Sequence, residues 1–443
     1  MKILIKNGTI VNEGLSYVGS IFINNELIED VTSDKEKVKE YACVCDEVID
    51  ATGLYVMPGV IDDQVHFREP GATQKGSIST ESAAAVLGGV TSYLDMPNNN
   101  PPICSLVLLE NKFHIAAKES YANYSFYFGA NNDNIDQIIK IDKRRVCGVK
   151  VFMGSSTGNM LVDNPMTLAL IFSQAHVPIA THCEDEKIIR SNLKAAIGKY
   201  GDDIPISEHP NIRSREACIS STRKAINLAL HYKSRLHILH ISTKEEIDMI
   251  RVAKTINPKI TGEICVHYLW FCDKDYEYYG AKMKCNPAIK TEADMYALRS
   301  AVRDGIISVV ATDHAPHLEF EKDNLYVYAP SGMPLIQNSL QMMLELCKNG
   351  VFNIEDVVDR MSHSPAKCFD IYNRGYIRPG YFADIAIVNY NKDNIVVPAY
   401  KCGWSLFSHF STSVVHTFVN GTQVVKNGEL TGLKPAKELA FNR

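Results

Sequence analysis

Residues 60–71 read VIDDQVHFREPG. An apolar run ends there in Asp62, Asp63, Gln64, His66 and Arg68, then breaks at Pro70 and Gly71. Similar endings recur along the chain: Asp95 and Asn98 in LDMPNNNPP, His182 in IATHCEDE, and His240 in LHILHIST. A further run ends at His267, and VVATDHAPH delivers Asp313, His314 and His317. Imidazole and carboxylate gathered at one place make a ligand set for zinc or a similar divalent ion. A single histidine at a strand end is more often a packed core or loop residue, so the weight lies in the agreement among runs. His237 precedes His240 by three residues. On a regular strand that odd offset turns it to the opposite face, and it is not expected to be a ligand. His114, His176, His209, His231, His363, His409 and His416 have no such placement.

Lys150 is the unusual member. It lies inside GVKVFM, a run that reads as buried on both faces. A bare ammonium is costly there unless it is paired or deprotonated. One reading pairs it with a nearby acid. The other adds CO₂ to its amine, giving a carbamate whose two oxygens can bridge metal ions.

These residues need a frame that brings strand ends together. Eight apolar, β-rich runs fit: 55–66, 89–96, 125–130, 148–153, 178–182, 236–241, 262–268 and 306–312. Helical patterns such as TESAAAVLGG and KEEIDMIRVAKTI separate most of them, and the third unit is the least regular. Alternating β and α in this number predicts an α/β fold, a (β/α)8 TIM-type barrel with chemistry at the C-terminal ends of its strands. Both chain ends read differently, as short alternating strands separated by turns such as Asn7-Gly8, Asn420-Gly421 and Asn427-Gly428. They are expected to build one small β-sandwich domain. The expected divisions are 1–55, the barrel at 56–377, and 378–443.

The 443 residues, 46% of them hydrophobic, suffice for a large core and argue against disorder. A net charge of −5 without a basic run argues against nucleic acid. No apolar stretch approaches a membrane span, and the N-terminus MKILIKNGTIV lacks a signal-peptide core. Twelve cysteines without C-x-x-C spacing read as reduced thiols in a cytoplasmic protein.

The ordered series MPGVID, HFREPG, DMPN, GVKVFMGSSTG, THCEDE, LHIST, NPAIK, ATDHAPH and GYFADIAI resembles the amidohydrolase superfamily, and within it the dihydroorotases of the long-chain type. The resemblance covers essentially the full length. It implies metal ligation by His66, carboxylated Lys150, His182, His240 and Asp313, with one or two zinc ions per chain. It also implies substrate binding by Arg68, Asn98, Asn286 and His317, with backbone contacts from Ser331 and Gly332. Asp313 would be the catalytic acid–base group. The implied reaction is the reversible cyclisation of N-carbamoyl-L-aspartate to L-dihydroorotate in pyrimidine biosynthesis. The implied partner is a small molecule, and a homo-oligomer, first of all a dimer, is the expected assembly.

The sequence departs from the family at one place. The family pattern in the first strand is H-x-H, and here it is Gln64-x-His66. An amide oxygen is a weaker zinc ligand than imidazole. Either Gln64 binds one metal weakly, or one zinc does the work, or the chain is a scaffold paralogue with little activity. Asp62, two residues earlier, is a candidate to compensate or to orient a ligand. Retention of Lys150, Asp313 and the substrate set argues against the scaffold. Allantoinase or dihydropyrimidinase activity is the neighbouring alternative, which does not call for an arginine at position 68.

Overall fold

In the computed structural model, residues 1–154 and 160–443 are described. The last part of the GVKVFMGSSTG motif, residues 155–158, lies outside them. The first strands are β1 (Lys2–Asn12), β2 (Leu15–Asn24), β3 (Leu27–Thr32), β4 (Glu47–Asp50) and β5 (Tyr55–Pro58). β1 and β2 pair antiparallel around Glu13-Gly14, both at positive φ, as a tight hairpin requires. Asn7-Gly8 is not a turn between strands. It is a bulge inside β1, where a Cβ on Gly8 would lie 2.5 Å from a Val56 methyl.

The barrel follows as β6 (Val60–Val65), β7 (Val90–Asp95), β8 (Asn123–Gly129), β9 (Gly148–Phe152), β10 (Ile179–His182), β11 (Leu236–Ile238), β12 (Ile260–Cys265) and β13 (Val309–Ala311). They form an eight-stranded parallel sheet in chain order. The run read as 55–66 is therefore two strands. Its first part, β5, pairs with β1, and only β6 enters the barrel. The sheet closes where His66 N–H donates to the His314 carbonyl (2.7 Å). Asp62 adds a latch, accepting from the Thr312 hydroxyl (2.6 Å) and backbone N–H (3.2 Å). Burial, only partly offset by these bonds, pushes the Asp62 pKa up to about 7. Asp62 is thus spent on closing the barrel rather than on the cavity.

Helices cross over between strands. Those at Ile78–Leu87, Lys244–Ile256 and Glu292–Arg303 each start with a capping box, formed by Ser77/Thr80, Thr243/Glu246 and Thr291/Asp294. The third unit carries a short helix, Ile135–Ile138, consistent with its weak periodicity. After the barrel come β14 (Ile385–Asn389), a small ribbon of β15 (Asn394–Ile395) and β16 (His409–Phe410), then β17 (Ser413–Val419), β18 (Thr422–Lys426) and β19 (Glu429–Leu430). β14 lies between β5 and β17 and joins both chain ends into one nine-stranded sheet. Asn420-Gly421 and Asn427-Gly428 are its hairpin turns, all four residues at positive φ.

Candidate active site

The C-terminal ends of the barrel strands surround a cavity of ≈ 300 Å³. Every residue that the family resemblance assigned to ligation or substrate contact lines it, and Gln64 with them: His66, Lys150, His182, His240 and Asp313, together with Arg68, Asn98, Asn286, His317, Ser331 and Gly332. Three of them, Arg68 (φ 69°), His240 (φ 40°) and Asp313 (φ 49°), hold left-handed backbone conformations that are strained for these residue types. The strain turns each side chain inward just beyond the end of its strand.

His182 Nδ1 and His240 Nε2 lie 2.9 Å apart. The other nitrogen of His182 meets the Glu184 carboxylate at 2.8 Å, and Glu184 is also paired with Arg213. With Nε2–H directed at Glu184, Nδ1 carries the lone pair, the arrangement of a metal-ligating histidine held by a carboxylate. Burial lowers the pKa of both rings, favouring the neutral ligating form. Burial opposes the Glu184 charge, but Arg213 and His182 outweigh it and hold its pKa at about 2. Sequence reasoning passed over Glu184, although it stands two residues after His182 in the same motif.

On the opposite wall, His66 Nδ1 meets Asn98 Oδ1 (2.7 Å) and His66 Nε2 meets Asp313 Oδ1 (3.0 Å). Asn98 Oδ1 can only accept, so Nδ1 carries the proton and Nε2 points its lone pair at a carboxylate. That contact is favourable only with a proton or a cation between them. The Gln64 amide nitrogen also donates to Asp313 Oδ1 (3.0 Å), while its oxygen faces the Cys265 thiol at 3.8 Å. Lys150 is buried, with Nζ 4.7 Å from the centre of the Phe152 ring. Burial, partly countered by Asp313 and Glu263, lowers its pKa to about 8. A less basic amine is more often neutral and nucleophilic, as carbamate formation requires. The donor set therefore fits one or two divalent ions.

The remaining wall is cationic. Arg68 donates from Nε to the Pro316 carbonyl (3.1 Å), and its Nη2 lies 3.0 Å from His317 Nε2. Lys75 Nζ approaches the other ring nitrogen of His317 at 3.1 Å. Burial first, then Arg68, Lys75 and Lys322, drives the His317 pKa far down, so the ring stays neutral. Buried Lys322 donates to the carbonyls of Lys284, Pro330 and Gly332 and fixes the loop carrying Ser331, whose hydroxyl bonds Asn286 Oδ1 (3.0 Å). Lys75 and Lys322 carried no signal in the sequence beyond ordinary charge.

A sequence profile of the amidohydrolase family matches residues 55–424. The chain belongs to the amidohydrolase family. It is 31% identical to a dihydroorotase of Ruminiclostridium cellulolyticum over 96% of its own length and 99% of the relative's. It is 33% identical to a dihydroorotase of Wolbachia over 79% and 78% of the two chains. Among solved structures, an L-hydantoinase (dihydropyrimidinase) from Arthrobacter aurescens superposes with a TM-score of 0.93 at 25% identity, covering 99% of both chains. The chain is an amidohydrolase (β/α)8 barrel with a second, strand-built domain made from both chain ends.

Several other residues stand differently from their sequence reading. Asp95 does not reach the cavity. It forms a fully buried ion pair with Lys112 (2.8 Å) and accepts from Phe67 N–H. His267 follows the end of β12, on the short helix Val266–Trp270. His314 turns into the core, bonded to Glu81 (2.8 Å). His237 does not face away from the barrel. It meets Asp63 and Glu263, inward-facing side chains of β6 and β12. Burial opposes a charged ring there, but these two carboxylates outweigh it and raise the His237 pKa to about 9.

Proposed function

We propose that the chain is a zinc-dependent dihydroorotase, interconverting N-carbamoyl-L-aspartate and L-dihydroorotate. The observation that carries this is the Arg68–His317 contact at 3.0 Å on the wall facing the metal-type donors. Arg68 supplies a planar, two-pronged donor suited to a carboxylate, with Lys75 reinforcing the positive field. Asn98, with its oxygen committed to His66, has its amide N–H₂ left for the same group. Asn286, Ser331 and Gly332 complete the contact to the ring amides.

His182, His240 and carboxylated Lys150 would hold one zinc, with His66 and Asp313 at a second, weaker position that Gln64 borders as a hydrogen-bond donor to Asp313. Bound zinc supplies Lewis acidity, polarising the ring amide and lowering the pKa of water. Asp313 takes the proton from the attacking water and delivers it to the departing ring nitrogen. Water oxygen joins the carbonyl carbon as the C–N bond breaks, so opening yields a second carboxylate and releases a proton. Closure runs through the same groups in reverse and consumes that proton, so acid favours it. The twelve cysteines, none in a disulfide, support a cytoplasmic setting. A homodimer is the proposed assembly.

The fold likeness to the hydantoinase keeps a neighbouring cyclic amide as the second reading. Metal-replete protein assayed with L-dihydroorotate, N-carbamoyl-L-aspartate, dihydrouracil and allantoin separates the two. Turnover of the first pair is expected. Turnover of dihydrouracil or allantoin alone would overturn the proposal.

A further inference from the structure

Beneath the cavity, Asp63, His237 and Glu263 meet inside the barrel, and all three are buried. The hydrogen bonds around His237 fix its tautomer. The Thr261 hydroxyl donates to the Leu236 carbonyl (3.3 Å), so it accepts from His237 Nδ1 at 2.8 Å. That puts a proton on Nδ1 and turns Nε2 to the two carboxylates. Nε2 lies 3.0 Å from Asp63 Oδ2 and 3.4 Å from Glu263 Oε2. Asp63 Oδ2 is off the line of a hydrogen bond to that ring, and neither Asp63 oxygen has a hydrogen-bond partner among the described residues. The ion-pair partner of Asp63 is the His237 ring at 3.0 Å, off the hydrogen-bond line, and a fully buried carboxylate held only in that way is costly and asks for a better-placed cation.

Charge counting makes the same point. An imidazolium between two ionised carboxylates would leave one net negative charge in the dry interior. Without a metal that charge is offset by a proton on Glu263, whose pKa burial and Asp63 raise to about 8, and a divalent ion would displace that proton. A neutral imidazole, two carboxylates and a divalent ion sum to zero. Glu263 Oε1 accepts the His240 backbone N–H (3.0 Å), which leaves Oε2 as the oxygen that faces His237. The spacing is also right. A tetrahedral zinc with bonds of about 2.0–2.2 Å separates its ligand atoms by roughly 3.3–3.6 Å. Here the three ligand atoms lie within 4.8 Å of one another, and the two distances to Nε2 are at or below that edge length. On the far side of the barrel a separate cavity of ≈ 310 Å³ is lined by His237 and Thr261, so the cluster lies at its floor rather than deep in solid core.

We infer that Asp63, His237 and Glu263 form a second, structural metal site for a zinc-class divalent ion, distinct from the catalytic cluster. The ion ties β6, β11 and β12 together one layer below the cavity and, through Glu263, steadies the backbone of His240. It touches no substrate.

Crystals of the full chain grown with Zn²⁺, and measured at the zinc absorption edge, test this directly. An anomalous peak among Asp63, His237 and Glu263 is expected, separate from any peak at His182 and His240. Zinc per chain, measured on dialysed protein, should fall by one ion in Asp63→Asn and in His237→Gln. An anomalous map with a peak at the catalytic histidines and none at the lower cluster would overturn the inference. So would an unchanged zinc count in both folded variants. Should either variant fail to fold, the map of the natural protein decides alone.

Discussion

The Gln64 amide donates to the same Asp313 oxygen that His66 Nε2 meets, each at 3.0 Å. Gln64 therefore stands among the ligand-type residues as a donor to one of them. Its N–H₂ group holds Asp313 in place without supplying a lone pair to a cation.

Replacing Gln64 with histidine should convert that donor into a ligand. Zinc at the catalytic cluster should rise from one ion per chain toward two, because imidazole is the better zinc donor. Zinc analysis before and after dialysis against a weak chelator measures this. An unchanged count, or two tightly held catalytic ions already present in the natural protein, would contradict it.

Arg68→Lys keeps the charge and loses the fork. The loss of substrate binding should reach about 2–5 kcal/mol if the contact is desolvated. KM for dihydroorotate should rise while zinc content stays constant. Unaltered kinetics would remove Arg68 from the substrate wall.

Glu184→Gln should loosen His182, whose Nε2 it holds at 2.8 Å. Loss of such an outer partner weakens metal binding by about 10–100-fold. Competition with a chromogenic zinc chelator reads the change, and an affinity equal to that of the natural protein would show that His182 is oriented by packing alone.

Gly332 sits at φ 142°, and a Cβ there would come 2.4 Å from the Ala315 carbonyl. Gly332→Ala should displace the Ser331 loop and raise KM, with the zinc content untouched. A variant with normal KM would separate this loop from substrate binding.

His209 is buried between the Tyr326 hydroxyl (2.8 Å) and the Cys285 carbonyl (2.7 Å). Burial first, then Lys284 and Arg213, holds its pKa well below the ordinary 6.5. Below pH 6.5 the unfolded chain therefore binds a proton that the folded chain refuses. The contribution of His209 is full above that pH and is lost on acidification, with a slope approaching about 1.4 kcal/mol per pH unit. Denaturant midpoints should fall between pH 6.5 and 5 in the natural protein, and less steeply in His209→Gln. Parallel curves would show that other groups carry the acid sensitivity.

The strand-end residues were legible because parallel strands of one barrel deliver their last side chains to one rim, so type and order were enough for Lys150, His182 and Asp313. His237 was misread because alternation applies only within a strand. β11 ends at Ile238, and the left-handed turn at His240 breaks the count. The split at Gly59 leaves no local signal, since apolar residues run on either side of it from Tyr55 to Ile61 and β5 and β6 lie one residue apart. Lys75 acts through His317, far away in sequence, and spacing does not record such a pair; Glu184 stands only two residues from His182, but the Arg213 that holds it is distant.

The pairing of Pro58 with Ile385 joins strands that the ribosome makes far apart in time. At about 5–20 residues per second, the roughly 330 residues between them take some 16–65 s to appear. Throughout that interval the edge of β5 that awaits β14 has no partner of its own and offers unpaired backbone groups to any passing strand. Yield in a foreign host should therefore depend on translation speed and on chaperones that shield this edge, and slowing synthesis lengthens the exposure.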